Sequence, residues 1–360
     1  MLKPRTKTMP QISNPQTVTF SPSWTFIPTH YCRNTCGYCA FVERDGAAGD
    51  LAPLSAALSE IKRAKLAGAT ELLIMSGEGV EGSRLLRARL DQWGFPLYMN
   101  YLIAVARIAL AHDLLPHINV GNLAYSDLLK LKDVVPSMGM MLESTSAELR
   151  RSFAHRYAPD KDPERRIQTL RAAGQARMPF TTGLLIGIGE TAKDREETLH
   201  QIASLHREFG HIQEVIIQPF TPHSKTKMAA EAAPGTLTMK RTIEAARSIL
   251  PPDVAVQVPP NIATDFVEYV KAGARDFGGI SPDGDRINPE EPWHVPLHYC
   301  EALEEYGFKL IPRLAVYDQF LTPEWLPGPL IEAALRVRQR LSEEIINHPT
   351  SLHAPTRFAL

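Results

Sequence analysis

An α/β barrel of parallel strands is the fold class that the sequence predicts, in the form of a TIM-like barrel of six to eight β/α units with a C-terminal extension. Short apolar runs alternate with longer amphipathic segments along most of the chain. These runs are apolar on both faces, which is typical of buried parallel strands. No Gly-x-Gly-x-x-Gly turn follows the first run, so a closed barrel is favoured over an open dinucleotide-binding sheet.

Seven apolar runs are predicted strands, and their spacing leaves room for one crossover segment between each pair. They cover residues 24–29, 71–76, 116–120, 137–143, 180–187, 214–220 and 254–258. Strand followed by helix, repeated, implies a parallel sheet with right-handed crossovers. The loops that follow these strands are therefore expected to meet around one cavity at the C-terminal end of the barrel.

Amphipathic segments between the runs are predicted helices. They cover residues 55–67, 101–112, 126–132, 163–173, 192–209 and 239–250. Gly68, Gly174 and Gly210 stand at or just beyond the ends of three of them, where a glycine commonly terminates a helix.

The barrel domain is predicted to span residues 21–296. Residues 1–20 are predicted to form a mobile N-terminal segment, and residues 297–360 an extension packed on the barrel. Within this division, residues 278–285 and the proline-rich stretch 288–296 are expected to form a long ordered loop.

The charge balance argues for a small-molecule substrate. The chain has 39 basic and 40 acidic residues, for a net charge of −1, so no overall field attracts it to nucleic acid or anionic lipid. No run of 18 apolar residues occurs, and a polar stretch rather than an apolar signal-peptide region follows the first residues. A cytoplasmic location is expected.

Cysteine usage points to a metal site. Of four cysteines, Cys32, Cys36 and Cys39 fall within eight residues and Cys300 stands far away, which is not a disulfide framework. The Cys-x3-Cys-x2-Cys loop follows the first predicted strand. A 4Fe-4S cluster normally takes four cysteines, so three leave one iron open to the methionyl group of S-adenosylmethionine (SAM), the source of a 5'-deoxyadenosyl radical.

Two other interpretations of the cysteines stay open. A structural zinc site with His30 as a fourth ligand would indicate a non-catalytic protein, although zinc motifs usually come as two paired half-sites. A thioredoxin-like motif at Cys36 and Cys39 would leave Cys32 unexplained. Cys300 is either a distant fourth ligand or, as we favour, a small core residue.

The cysteine loop, with Tyr38 before its last cysteine, resembles the radical S-adenosylmethionine superfamily. The turn at residues 75–79 is similar to the Gly-Gly-Glu-like turn that holds the methionyl amine in that superfamily. Ser76 replaces the first glycine of that turn, whereas Gly77 and Glu78 are kept. The resemblance implies a radical SAM form of the predicted barrel, with a 4Fe-4S cluster and SAM as cofactors.

Further segments look like the deazaflavin-forming enzymes of this superfamily. They cover residues 137–143, 183–191, 210–220, 276–282 and 288–293, within a resemblance that runs from about residue 29 to residue 293. Residues 281–288 depart from the family pattern, which puts the roles of Asp283 and Asp285 in doubt.

The resemblance implies a particular reaction. A radical lyase would complete the chromophore 7,8-didemethyl-8-hydroxy-5-deazariboflavin (FO) from the adduct of tyrosine and 5-amino-6-(D-ribitylamino)uracil. The steps would be hydrogen abstraction by the deoxyadenosyl radical, ring closure and loss of ammonia. A partner radical enzyme, the second subunit of the system, would supply the adduct, and flavodoxin or ferredoxin would supply electrons. That partner subunit itself and other radical SAM enzymes are the alternatives.

Cofactor-binding residues are predicted at the ends of several strands. Glu78 would accept from the methionyl ammonium, and Glu143 would hold the ribose or sulfonium side; each carboxylate would otherwise cap a following helix. The full predicted set is Tyr38, Ser76, Gly77, Glu78, Glu143, Ile186 and Gly187.

Polar residues at other strand ends are predicted to bind the substrate, through the ribityl hydroxyls or the pyrimidine. They are His117, Asn119, Asn122 and Gln218. His30, Asp283 and Asp285 are candidate catalytic residues for proton transfer. The arginine pair at residues 165–166 is predicted to lie on a solvated helix face.

Overall fold

Eight parallel strands close into a barrel in a computed structural model that describes residues 16–43 and 50–347. Each strand pairs with the next in chain order, β8 pairs with β1, and β1 also pairs with β2, which completes the ring. The strands are β1 (Thr17–Phe26), β2 (Glu71–Met75), β3 (Leu115–Asn119), β4 (Ser137–Gly139), β5 (Phe180–Ile186), β6 (Ile212–Pro219), β7 (Ala255–Gln257), β8 (Asp276–Ile280) and β9 (Lys309–Pro312). The last of these pairs with β1 outside the ring. The predicted fold class is confirmed.

Helices surround the barrel. They are α1 (Leu54–Leu66), α2 (Arg84–Gln92), α3 (Tyr98–Ala111), α4 (Tyr125–Leu131), α5 (Pro163–Gln175), α6 (Ala192–Phe209), α7 (Thr236–Ile249), α8 (Phe266–Lys271), α9 (Pro296–Glu304) and α10 (Gly328–Asn347). Helix α6 shows why the sequence signals work: Thr191 and Asp194 form a reciprocal capping box, and Gly210 ends the helix with a φ of +69°. None of the helices in the described ranges is long and apolar enough to cross a membrane.

Two strands differ most from the prediction, and β4 also ends earlier than predicted, at Gly139. Strand β1 begins at Thr17, because its first half pairs with β8 and β9 and buries Val18 and Phe20. Residues 17–20 therefore belong to the sheet, whereas residues 1–15 lie outside the described part. Strand β8 was missed because its two glycines, Gly278 and Gly279, are poor strand formers by propensity.

The C-terminal extension covers the N-terminal end of the barrel. Its residues 314–341 form a separate apolar cluster with Leu115 and Ala255, which begin β3 and β7. Cys300 is buried in α9, 5% exposed, as expected of a small core residue. The boundary at residue 296 stays a prediction.

A buried ionic cluster closes the bottom of the barrel. Arg313, directly after β9, donates to Asp276 (Nε–Oδ2 2.6 Å, Nη2–Oδ1 2.8 Å) and to Glu214 (Nη2–Oε2 2.6 Å). The Tyr317 hydroxyl lies 3.0 Å from Glu214 Oε2 and 2.9 Å from Asp276 Oδ2. Burial and the neighbouring Asp276 raise the pKa of Glu214, although Arg313 opposes them. This cluster, which we call the floor cluster, joins the extension to two barrel strands.

Replacing Arg313 should destabilise the protein far more than replacing an exposed arginine. Arg313→Met leaves Glu214 and Asp276 buried without their cation, which should lower the free energy of unfolding by about 3–5 kcal/mol. Urea unfolding followed by circular dichroism measures it. Arg171→Met is the control, because it breaks an exposed pair with Glu208 and should cost less than about 1 kcal/mol. Equal losses would show that the floor cluster stabilises the fold no more than an exposed ion pair does.

Candidate active site

A cavity of about 370 Å³ occupies the barrel interior, from the cysteine loop down to the floor cluster. Barrel interiors are usually filled by branched apolar side chains. Here glycines stand at inward positions: a Cβ on Gly139 would lie 2.9 Å from His117 Nε2, and one on Gly278 would lie 2.0 Å from Gln257 Nε2. These glycines leave room for polar side chains that line the cavity.

The cysteine loop is held from two sides by backbone hydrogen bonds. On one side, the Arg33 N–H donates to the Glu78 carbonyl at 2.9 Å. On the other, the Gly37 N–H donates to the Ala154 carbonyl at 2.9 Å, and a Cβ on Gly37 would meet the Phe153 carbonyl oxygen at 2.2 Å. The loop is therefore fixed between the turn after β2 and residues 153–157.

All three loop cysteines are free thiols that line the cavity. Burial raises the pKa of Cys36 to about 12, and burial also raises the pKa of Cys39. Lys161 opposes both shifts. Protons must therefore leave these thiols when they ligate a metal, since the thiolate is the ligand form.

The turn after β2 packs against Cys32. A Cβ on Gly77 would lie 2.3 Å from Cys32 Cβ, so only glycine fits there. The Glu78 N–H donates to Cys32 Sγ at 3.2 Å. The Glu78 carboxylate accepts from Arg166 Nη2 at 2.6 Å and from Asn122 Nδ2 at 3.0 Å. Both of its oxygens thus have partners in the protein, and its predicted contact with the methionyl ammonium stays a prediction.

Glu143 organises the opposite wall. Its φ is +67°, a left-handed conformation that is costly for a residue other than glycine. Its carboxylate accepts from the Tyr38 hydroxyl at 2.5 Å, lies 3.0 Å from His155 Nε2, and pairs with Lys161. Burial opposes ionisation, but Lys161 and His155 outweigh it and hold the pKa of Glu143 well below its usual range. Tyr38 is thereby fixed beside Cys39.

The predicted substrate residues divide between two places. His117, Asn119 and Gln218 line the cavity, whereas Asn122 bonds Glu78 and the Asp160 carbonyl. Burial lowers the pKa of His117 to about 3, and Arg313 adds to this effect. His117 is therefore a neutral imidazole near pH 7.

Several other predicted site residues lie off the cavity wall formed by the described residues. Ile186 is fully buried, and the Gly187 N–H donates to the Glu190 carboxylate at 2.9 Å. His30 contacts the Phe41 carbonyl, and Asp283 pairs with Arg63 and Arg286. The residues concerned are Ile186, Gly187, His30, Asn122 and Asp283.

Asp285 does line the cavity, where it accepts from Asn261 Nδ2 at 2.8 Å. The predicted cofactor residues Tyr38, Ser76, Gly77, Glu78 and Glu143 line it too.

Sequence reasoning missed the cations of the site. The prediction that Arg166 lies on a solvated helix face is wrong. The Arg166 side chain is 2% exposed and donates to Glu78 across the barrel wall. Lys161 follows a proline in a short turn, and Arg313 lies in the extension. No local pattern distinguishes these side chains from surface cations. Their partners are 18 to 99 residues away along the chain, and only the fold brings them together.

The residues present fit a 4Fe-4S cluster with SAM. Three free thiols gather on one loop, and the fourth cysteine is buried in α9 away from the cavity, so one iron would lack a cysteine ligand. The Asn34 Nδ2 amide, buried within this loop between Cys32 and Cys36, finds no hydrogen-bond partner in the described ranges. Across residues 16–43 and 50–347, no three His, Cys, Asp or Glu side chains are arranged to hold a single metal ion.

Comparisons with known proteins agree with this geometry. A family model described as the Radical SAM superfamily matches residues 26–202. Among solved structures, the FeFe-hydrogenase maturase HydG from Carboxydothermus hydrogenoformans superposes with a TM-score of 0.68 at 18% identity, over 95% of this chain and 76% of that one. Methylornithine synthase superposes with a TM-score of 0.62 at 17% identity, over 83% and 85%. These two share the fold.

Sequence relatives are more similar. A 7,8-didemethyl-8-hydroxy-5-deazariboflavin synthase of Methanococcoides burtonii is 44% identical over 88% of this chain and 94% of its own length. One of Thermosynechococcus vestitus is 42% identical over 88% and 97%.

Fold, cysteine loop and family match together define a radical SAM enzyme. Within that superfamily the chain belongs to the 7,8-didemethyl-8-hydroxy-5-deazariboflavin (FO) synthase family. It is an enzyme of deazaflavin synthesis that acts on a small molecule.

The buried Lys161–Glu143 pair should show strong energetic coupling. Lys161→Met and Glu143→Gln each leave the other member of the pair buried without its opposite charge, so each should cost about 3 kcal/mol of unfolding free energy. The double variant should cost less than their sum by about 2 kcal/mol. Urea unfolding of all four proteins measures the coupling. The exposed pair Lys193–Glu197 on α6 is the control and should couple by less than about 0.5 kcal/mol. Additive losses at residues 143 and 161 would contradict the prediction.

Proposed function

We propose that Cys32, Cys36 and Cys39 hold a 4Fe-4S cluster, that SAM occupies its open iron, and that the enzyme completes FO from the tyrosine–ribitylaminouracil adduct. The observation that carries this proposal is the set of three free thiols in one cavity, in a member of the FO synthase family. When bound, the reduced cluster and SAM supply a 5'-deoxyadenosyl radical, which abstracts a hydrogen atom from the substrate. The loss of ammonia then classes the reaction as a carbon–nitrogen lyase.

The protein's own residues bind and orient the cofactor and the substrate, and they exclude water from the cavity. The Gly77–Glu78 turn and the Tyr38–Glu143 pair fix the two sides of the cysteine loop, which limits the positions a bound cofactor can take. The barrel wall shields the cavity, so a radical formed there is kept from solvent. We place Ser76 in the cofactor turn, and we keep Ile186 and Gly187, at the end of β5, as residues on the adenosine side of the cofactor.

Ring closure and loss of ammonia require proton transfers. Of the three predicted groups, Asp285 lines the cavity, whereas His30 and Asp283 lie off the wall formed by the described residues. The Asp285 carboxylate also accepts from the backbone N–H groups of residues 287 and 288. We therefore assign proton transfer to Asp285, held in place by Asn261. His117, Asn119 and Gln218 are assigned to the substrate rings, because they face the cavity from β3 and β6.

Cysteine substitutions should separate this function from its alternatives. After anaerobic reconstitution, the protein should hold about four iron and four sulfide ions per chain, and with SAM and the adduct it should form FO. Cys36→Ser should lose the iron and the product, because one ligand is gone. Cys300→Ser is the matched control and should keep both, since Cys300 is buried in α9. Iron analysis and chromatography of FO give the readouts.

The outcomes distinguish the competing functions. Zinc near one ion per chain without sulfide would refute the radical function and support a zinc-stabilised protein. Deoxyadenosine without FO would refute the reaction but leave a radical SAM enzyme, such as the partner subunit. Loss of iron from Cys300→Ser would overturn the three-ligand assignment.

Two partners follow from the proposed reaction. FO synthase subunit 2 would make the adduct, and flavodoxin or ferredoxin would deliver electrons. An exposed patch beside the cysteine loop supports an acidic electron donor. It combines Phe153 and Tyr157, 61% and 51% exposed, with Arg156 and Lys227, whose cations lie over the Tyr157 ring. The patch is formed by two chain segments, and each is joined to the cysteine loop by a backbone hydrogen bond. The Gly37 N–H donates to the Ala154 carbonyl, and the Met228 N–H donates to the Gly37 carbonyl.

Charge reversal in this patch should slow reduction by a protein donor. Arg156→Glu with Lys227→Glu should reduce the rate of flavodoxin-supported turnover about tenfold at low salt, because acidic partners are no longer attracted. Turnover with dithionite should not change. Arg171→Glu with Lys193→Glu, on α5 and α6, is the control for a change of net charge. Equal slowing by both double variants, or slowing with dithionite, would refute the docking site.

A further inference from the structure

The lower half of the cavity is polar where a barrel is usually apolar. Its wall lies below the cysteine loop and above Arg313. Ser23 of β1 stands opposite Glu71 of β2 in the strand register, and Gln257 ends the short strand β7. All three side chains line the cavity and are at most 7% exposed.

Ser23 has an unused hydroxyl. The hydroxyl is buried on the cavity wall, across the strand pair from Glu71, and it has no hydrogen-bond partner among the described residues. The Gln257 amide, 7% exposed on the cavity wall, makes no hydrogen bond within the described part of the chain. Buried polar groups are normally hydrogen-bonded, so unpaired groups that face a cavity point to a ligand that pairs with them.

Two glycines of β8 make room for Ser23 and Gln257, which with Glu71 form one corner of the cavity. A Cβ on Gly279 would lie 2.9 Å from Ser23 Cβ, and one on Gly278 would lie 2.0 Å from Gln257 Nε2. Gly278 also has a φ of +70°, which favours glycine. Any larger residue at either position would displace the two polar side chains.

The charge of this corner selects the ligand class. Among the described residues, the carboxyl groups of Glu71, Glu214 and Asp276 stand near one guanidinium, that of Arg313. A phosphate would be repelled by this excess of carboxyl groups. A hydroxyl group both donates and accepts, so it can pair with a carboxyl, a serine or an amide.

We propose that Ser23, Glu71 and Gln257 form a subsite for a neutral polyhydroxylated chain, which in the proposed reaction is the ribityl chain of the substrate. The inference rests on the proposed function and deepens it. The phenol and pyrimidine rings form the new bonds and must lie near the cysteine loop, whereas the ribityl chain passes unchanged into FO. The substrate therefore enters with its polyol end toward the floor cluster and its rings toward Cys32, Cys36 and Cys39.

Two neighbouring serines give a matched test. Ser23→Ala removes a hydroxyl that faces the cavity. Ser21→Ala removes one from the same face of the same strand that is equally buried and also acts on Glu71 but lies off the cavity wall, so it controls for any effect that passes through Glu71. In the reconstituted enzyme, Ser23→Ala should raise the KM for the adduct about five- to tenfold, the effect of one neutral hydrogen bond. Its kcat should stay within about twofold of wild type, and Ser21→Ala should change KM by less than about twofold.

An analogue with methyl in place of ribityl gives the second arm. Wild type and Ser23→Ala should have the same KM for it, because the chain that Ser23 would bind is absent. Equal KM changes from the two serine variants, or a Ser23→Ala effect that persists with the methyl analogue, would overturn the subsite.

Failure of the reaction and failure of the subsite remain distinguishable. If wild type makes deoxyadenosine but no FO, the proposed reaction fails, and calorimetric titration with 5-amino-6-(D-ribitylamino)uracil then decides the subsite. Binding about five- to tenfold weaker in Ser23→Ala than in Ser21→Ala supports it, by the same hydrogen-bond argument. Equal binding, or tighter binding of the corresponding 5'-phosphate, overturns it.

Discussion

Close packing of the Gly77–Glu78 turn against Cys32 is the constraint on which the rest of the site depends. The absence of a side chain at Gly77 brings the backbone of one strand end against the cysteine of another. The Glu78 N–H then donates to the Cys32 sulfur, and the Glu78 carboxylate accepts from Arg166 and Asn122. One residue thereby connects the cysteine loop to α5 and to the segment after β3. A shift of this turn would move a thiol and a helix together.

Apolar periodicity was enough to predict the barrel, because parallel strands buried on both faces leave an unmistakable pattern. It failed at β8, where Gly278 and Gly279 give room to other side chains instead of burying their own. The cysteine loop was predictable because its ligands are adjacent in sequence. Arg166, Lys161 and Arg313 were not, because a buried cation resembles a surface cation until its distant carboxylate partner is known.

A hollow barrel interior that admits polar side chains gives up apolar packing that a filled barrel would have. Ionic contacts replace part of it: Arg313 binds two carboxyl groups below the cavity, and Lys161 binds Glu143 above. Buried charges are tolerated only when paired, so these side chains are held in single arrangements.

The origin of Arg313 outside the β/α repeat has a consequence for how such enzymes diversify. The thiols and the turn that packs on them come from the first two strands, whereas the base of the chamber is completed by a segment added after the eighth. Changes in that late segment alter the depth and charge of the chamber without touching the thiols. One radical-generating half can thus be combined with many chamber bases, which allows the reactive chemistry and the choice of molecule to evolve separately.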